Sequence, residues 1–250
     1  MQRLKKMREK HDLESQHEAF IKNDFLMKIT EEFLEKAEII ASENKRINSE
    51  SLKVLEIGGA GGGTKALRPE WIVTDIRDCK GVDLIASAYS LPFKNESFDL
   101  IVGIDVLHHL SDRSTFYHEM HRVLSSQGAI VFREPYWGLL AQFIWRLLHP
   151  EDFSLKRLRQ VSSFNNPMEG NQATAWGILK KNIDDSTLHG LFEVKTIGIQ
   201  SASAFVLSGG ATFSTKVPKQ LLIKLHSFES KFRWWMKIFG VSIVFVMIKN

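Results

Sequence analysis

The sequence predicts a doubly wound α/β fold, a sheet with helices on both faces. Three observations predict it. A short apolar run, Val54 to Ile57, stops in a loop with glycine at 58, 59, 61, 62 and 63. A short helix from about Thr64 to Leu67 fits ahead of Pro69. A second apolar run, Trp71 to Thr74, then ends on Asp75. Strand, glycine turn, helix, strand and acid in this order form the nucleoside-binding half of such a sheet, with the acid placed to take both hydroxyls of a ribose.

Ahead of this unit, residues 1–46 read as helix. Phe20, Ile21, Phe25, Leu26, Ile29, Phe33 and Leu34 recur at three- and four-residue steps, the period of one helix face. The first fifteen or so residues are too polar to pack well and are expected to project or fray. Residues 1–50 thus form a helical extension, and residues 51–250 the main domain. Within the glycine loop, Gly58, Gly59 and Gly62 allow backbone turns and close approach to a ligand. Glu56 decides between two cofactor types. Its carboxylate would repel a pyrophosphate, whereas it suits a ligand carrying a cationic amino group and a sulfonium. A nicotinamide dinucleotide is therefore disfavoured.

Glu56-Ile57-Gly58-x-x-x-Gly62 resembles the first motif of the class I S-adenosylmethionine-dependent methyltransferases, with Ala60 where the usual pattern has its second glycine. Residues 86–110 resemble the same family more specifically. Leu91-Pro92-Phe93, Ser97-Phe98-Asp99, the apolar run Leu100 to Ile104 and Val106-Leu107-His108-His109-Leu110 match in order and spacing. The resemblance covers residues 53–134 firmly, with weaker likeness at both ends. It implies S-adenosylmethionine as cofactor and S-adenosylhomocysteine as product. It implies a seven-stranded sheet whose last strand is antiparallel and lies between the fifth and sixth, with an N-terminal helical lid and insertions after strands five and six. Ile76, Asp105 and Val106 join Glu56, the glycines and Asp75 as implied cofactor contacts. Ser87 stands where the family commonly has an aspartate that accepts from the adenine amino group. A serine hydroxyl also accepts, more weakly than a carboxylate, and the Ala88 backbone N–H is a further contact to the ring.

The remaining elements follow in order. Val82 to Ile85 reads as the third strand. Ser114 to Leu124 is helical, Ser125 to Gly128 a turn, and Ala129 to Phe132 the fifth strand. The carboxyl end of a parallel strand faces the ligand crevice, so Glu134, Tyr136 and Trp137 are placed to touch substrate. Leu139 to Leu148 is an apolar helix. The polar stretch after it falls in an insertion of about residues 138–190, where Arg157 and Arg159 suit an anionic acceptor, or simply a solvated loop. Phe192 to Gln200 is the sixth strand and Val241 to Ile248 the last. Residues 205–240 form the second insertion, including an amphipathic helical region from Val217 to Phe239.

Composition bounds the function. The chain has 250 residues, 44% of them hydrophobic, ordinary for a domain with a real core. Cys79 is the single cysteine, which fits a reducing cytoplasm. The N-terminal stretch lacks the apolar core of a signal peptide. Net charge is +4, unevenly placed, with seven Lys or Arg and one acid from residue 211 to residue 250. Such a segment suits an anionic partner or a membrane surface, or the solvated face of a core helix, which is the expectation preferred. No nucleic-acid module is visible. His149 with Glu151 and Asp152 matches no metal-ligand spacing, so no metal is expected.

Methyl transfer from a sulfonium needs a base only where the acceptor is protonated when it attacks. His108 and His109 follow the fourth strand at the crevice edge, where a base belongs; in the family this pair also serves as scaffold beside the cofactor. No Asn-Pro-Pro-Tyr string follows that strand, which argues against the enzymes of this fold that methylate DNA or glutamine amino groups. The resulting expectation is an O-methyltransferase for a small-molecule, sugar or peptide acceptor, a carboxylate included. The alternative is a catalytically silent protein of the same fold that serves as an interaction module.

Overall fold

The computed structural model describes residues 13–60, 63–148, 153–155, 158, 170–180, 186–210 and 215–250. Two helices come first, α1 (Leu13–Lys22) and α2 (Asp24–Lys45). Asn23 separates them. Its side-chain oxygen accepts from the backbone N–H groups of Phe25 and Leu26, both at 3.2 Å, capping α2. The single long helix expected from the periodicity is thus broken once, by a residue type that competes for the first backbone donors of a helix. The polar N-terminal residues 1–12 lie outside the described part.

Then come β1 (Val54–Ile57), α3 (Gly63–Leu67), β2 (Ile72–Asp75), β3 (Leu84–Ile85), β4 (Phe98–Ile104), α4 (Arg113–Val123) and β5 (Leu124–Pro135). They are followed by α5 (Leu139–Leu148), α6 (Thr174–Leu179), α7 (Ser186–Leu191), β6 (Phe192–Ser201), α8 (Ser203–Leu207), α9 (Lys219–Glu229), α10 (Arg233–Phe239) and β7 (Ser242–Lys249). One seven-stranded sheet runs in the order β3-β2-β1-β4-β5-β7-β6. The first five strands are parallel, and β7 pairs antiparallel with both β5 and β6. This is the arrangement that the resemblance implies, with the last strand seated between the fifth and sixth.

Alternation along the strands assigns the two faces. Leu55, Ile57, Ile101, Ile130, Phe132, Phe245 and Met247 pack against α4, α6 and α7. Val54, Leu100, Val102, Val131, Val244 and Val246 pack against α2 through Phe33, Leu34, Ala37 and Ala41. The rear two-thirds of α2 is therefore a layer of the fold. Its last turn is anchored at the base of the sheet, where Lys45 pairs with Asp99 at 2.8 Å. Its first turns lie over the carboxyl ends of the parallel strands, where the side chain of Arg133 reaches Thr30.

Three local readings are corrected. The turn at 125–128 lies inside β5 as an irregularity, because the register passes from Phe98↔Leu124 to Leu100↔Ala129 and Gln127 takes φ +58°. The third strand shrinks to two residues, since Val82 closes a turn onto Cys79 and the Asp83 carboxylate accepts from the Val73 N–H at 2.9 Å. The helical region over 217–239 is two helices, broken between Glu229 and Arg233.

Candidate cofactor and acceptor site

The crevice is built where β1, β2 and β4 end. Gly58 turns the chain at φ +68°, and a Cβ there would overlap the Val106 side chain, so the position excludes side chains on two counts. A Cβ on Gly59 would overlap Val73 and close on the Glu56 carboxylate. The Gly59 N–H donates to the carbonyl of Thr74 at 3.1 Å, and the Ala60 N–H to the Asp75 carboxylate at 3.1 Å. The loop is thus tied down onto β2. Gly62 lies outside the described residues.

Glu56 is 3% exposed and faces the α2 side of the sheet. One carboxylate oxygen accepts from the Thr64 hydroxyl at 2.8 Å. The other, Oε2, is enclosed and accepts nothing from the described residues. Burial pushes this carboxyl up to about 7; the Thr64 hydroxyl and the Arg133 charge oppose that shift, and Asp75 adds to it. An enclosed acceptor with spare capacity, beside glycines that leave room for a ligand, fits a cationic ammonium group.

Arg133, which the sequence reading passed over, faces the same side. Its guanidinium donates to the Thr30 hydroxyl at 3.2 Å and lies over the Phe33 ring at 5.5 Å. Burial lowers its pKa, while Asp105, Glu56 and Glu134 hold its charge in place.

Asp75, also 3% exposed, ends β2. Besides the Ala60 N–H it accepts from the Arg77 N–H at 2.9 Å and from the Arg77 guanidinium at 3.0 Å. Ile76 beside it is exposed. The chain returns past Asp75 through a bond from the Ala86 N–H to the Asp75 carbonyl at 2.9 Å, which brings Ser87 and Ala88 to the same edge. The Ser87 hydroxyl accepts from the Tyr89 N–H at 3.2 Å. Asp105 closes the other side. It takes φ +52° and donates its N–H to the Arg133 carbonyl at 2.8 Å. A non-glycine residue held in that conformation is strained, which fits a ligand-facing turn.

The expected acceptor-side residues divide. His108 and Glu134 come together: His108 Nδ1 lies 2.7 Å from a Glu134 carboxylate oxygen, with the two side chains 3% and 0% exposed. The other Glu134 oxygen accepts from the N–H groups of Val106 at 2.8 Å and Leu107 at 2.7 Å. Glu134 is therefore an internal holder of the turn after β4 and of the imidazole. The rings of His108 and His109 stand 4.2 Å apart. The Asn171 N–H donates to the His108 carbonyl at 3.2 Å, so the segment at 170–171 covers the pair.

Tyr136 is not brought to them. Its hydroxyl donates to the Lys237 carbonyl at 3.0 Å and its ring meets Trp176 edge-on. Trp137 packs on Phe153 with ring centroids 4.5 Å apart, in a cluster that includes Ala141 and Val241. Arg157 and Arg159 lie outside the described residues. No cluster of metal-ligating side chains occurs among the described residues.

Over the glycine loop sits α1. A Cβ on Gly63 would overlap the Phe20 ring. Asn23 also donates to the carbonyls of Ser208 at 3.2 Å and Gly210 at 3.4 Å, which joins the N-terminal helices to the segment between β6 and β7.

The methyltransferase domain family matches residues 65–132. Among solved structures, the YcgJ protein of Bacillus subtilis is 21% identical, with 80% of this chain and 92% of that one covered and a TM-score of 0.42. A SAM-dependent methyltransferase from Archaeoglobus fulgidus is 16% identical, with 88% and 97% covered and a TM-score of 0.46. Among curated proteins, none matches the sequence. The domain match over residues 65–132, the antiparallel last strand inside the sheet and the glycine loop with its enclosed Glu56 support the resemblance to the class I S-adenosylmethionine-dependent methyltransferases, whose cofactor is S-adenosylmethionine.

Proposed function

We propose that the protein is an O-methyltransferase acting on a small-molecule, sugar or peptide acceptor, with His108 as the base that Glu134 positions. The observation that carries this reading is the enclosed 2.7 Å contact between His108 Nδ1 and Glu134. A carboxylate on Nδ1 fixes the imidazole tautomer, so that Nε2 holds the lone pair. An acceptor hydroxyl gives its proton to that nitrogen as its oxygen attacks. When bound, S-adenosylmethionine supplies an electrophilic methyl group. Glu56 and Asp75 bind and orient, and the cover formed by α1 and residues 170–171 excludes water, which an in-line displacement requires.

Labelled S-adenosylmethionine incubated with cell extract tests the reading. Label should enter an acceptor as an ether, the product of an attacking hydroxyl, whereas a base-labile ester would report a carboxylate acceptor that needs no base at His108. His108→Asn should lower kcat by about 10²–10⁴-fold, while affinity for S-adenosylhomocysteine holds. Label on nitrogen or carbon, or a fully active His108→Asn variant, sinks the assignment. No labelled acceptor at all favours the silent-fold alternative.

A further inference from the structure

The segment between β6 and β7 carries an uneven distribution of charge and apolar surface. Six cations, Lys216, Lys219, Lys224, Lys231, Arg233 and Lys237, are all exposed. Among the described residues only Lys219 is in an ion pair, with Asp24 at 3.2 Å. The sole acid of the segment, Glu229, is turned inward, where its carboxylate accepts from the N–H groups of Ser203 at 3.1 Å and Ala204 at 3.2 Å. The charges that the segment itself turns outward are thus all cationic.

Between these cations stand bare apolar side chains. Phe228 is 61% exposed and Trp234 59%, with Leu221, Phe232 and Ile238 exposed beside them. Phe228, Phe232, Trp234 and Trp235 line one open hollow of about 280 Å³. The Trp235 indole N–H is buried there and meets no acceptor among the described residues. Exposed aromatic and aliphatic side chains among Lys and Arg, with the segment's one acid turned inward, are the composition of helices that lie in the plane of a membrane interface. No described helix is long and apolar enough to cross a bilayer. A second copy of the chain is a poor occupant, since two faces of one sign would meet.

Position gives this surface a use. Ser201, where β6 ends, and Ser242, where β7 begins, pair with each other, and Ser242 also pairs with Pro135 at the carboxyl end of β5. The helices α8 to α10 therefore stand at the crevice end of the sheet. Exposed Phe143 of α5, which follows β5, adds to the same end. We propose that α9 and α10 dock the protein on an anionic lipid bilayer with its crevice toward the membrane. If the methyl-transfer reading above holds, the acceptor is then one that the bilayer presents.

Flotation of the full chain with vesicles tests docking without reference to turnover. The protein should float with phosphatidylcholine vesicles containing phosphatidylglycerol and stay behind with pure phosphatidylcholine. Raised salt should weaken the binding. The double variant Phe228→Ser, Trp234→Ser should lose about tenfold or more of the partition, as should Lys231→Glu with Arg233→Glu and Lys237→Glu. S-adenosylhomocysteine affinity should stay unchanged in both variants, which separates lost docking from lost folding. Failure to float with anionic vesicles overturns the proposal, as does undiminished flotation of both variants. A concentration-dependent dimer that the aromatic variant abolishes would assign the surface to self-association instead.

Discussion

Arg77 reaches back two residues to the carboxylate of Asp75, with its guanidinium 3.0 Å from one oxygen while the Ala60 N–H holds the other. Asp75 is therefore held in one orientation by its own neighbours, and its proposed role is to accept from a ribose. Asp75→Ala should weaken S-adenosylmethionine binding by about 1.5–3 kcal/mol, the loss of charge-assisted hydrogen bonds. Arg77→Ala should hold or improve affinity, because it frees acceptor capacity on the same carboxylate. Titration calorimetry on both variants checks the pair, and unchanged affinity in Asp75→Ala refutes the ribose assignment.

Glu56 makes stability depend on pH in a defined direction. Its carboxyl titrates at about 7 in the folded protein, against an ordinary value of 4.5. Between those values the folded state holds a proton that the unfolded chain has released. The contribution is full below about 4.5 and is lost as pH rises through about 7, with an upper size of about 3 kcal/mol. Urea unfolding at pH 5 and pH 8 should show this fall in the wild type and a much flatter response in Glu56→Gln. Cofactor binding near pH 6 should also release a proton, read from calorimetry in buffers of different ionisation enthalpy. An equal pH response in the variant removes Glu56 as the cause.

The contact of Phe20 with Gly63 predicts coupling between α1 and the glycine loop. Gly63→Ala forces a Cβ into the Phe20 ring and should destabilise the protein by about 1–3 kcal/mol. Adding Phe20→Ala should cost less than the sum of the single changes, since the clash is already relieved. Additive unfolding energies would mean that the helix and loop move independently.

Ser87 offers a gain-of-affinity test. Its hydroxyl already accepts from the Tyr89 N–H, and aspartate supports the same local turn. Ser87→Asp should keep the loop and hold or strengthen S-adenosylhomocysteine binding, because a carboxylate accepts more strongly. A large loss of affinity with an unchanged unfolding midpoint would place the adenine elsewhere.

The fold was legible because its signals are local. Glu56 in an apolar run, glycines after it and an acid after the next run need only a few consecutive residues each. Long-range partners were not legible. Glu134 reads as a crevice carboxylate from its strand-end position, and only the N–H groups of Val106 and Leu107, 28 and 27 residues away, show that it faces inward. Tyr136 spends its hydroxyl on a carbonyl 101 residues later, which no spacing rule anticipates. Arg133 hides in an apolar strand, where one cation looks like an edge feature. Its burial depends on Thr30 and Phe33 of a helix about a hundred residues earlier. Arg157 and Arg159, read as suiting an anionic acceptor, lie outside the described residues.

The place of β7 bears on how the protein is made. It follows every other strand in sequence, yet it is the seam between β5 and β6. As the chain leaves the ribosome, β5 and β6 are complete while each still shows an unpaired backbone edge. Open edges of this kind recruit other chains, so nascent protein should lean on chaperones until its final strand arrives. A chain ending before Ser242 would keep both edges open and should accumulate as aggregate rather than as a smaller folded domain.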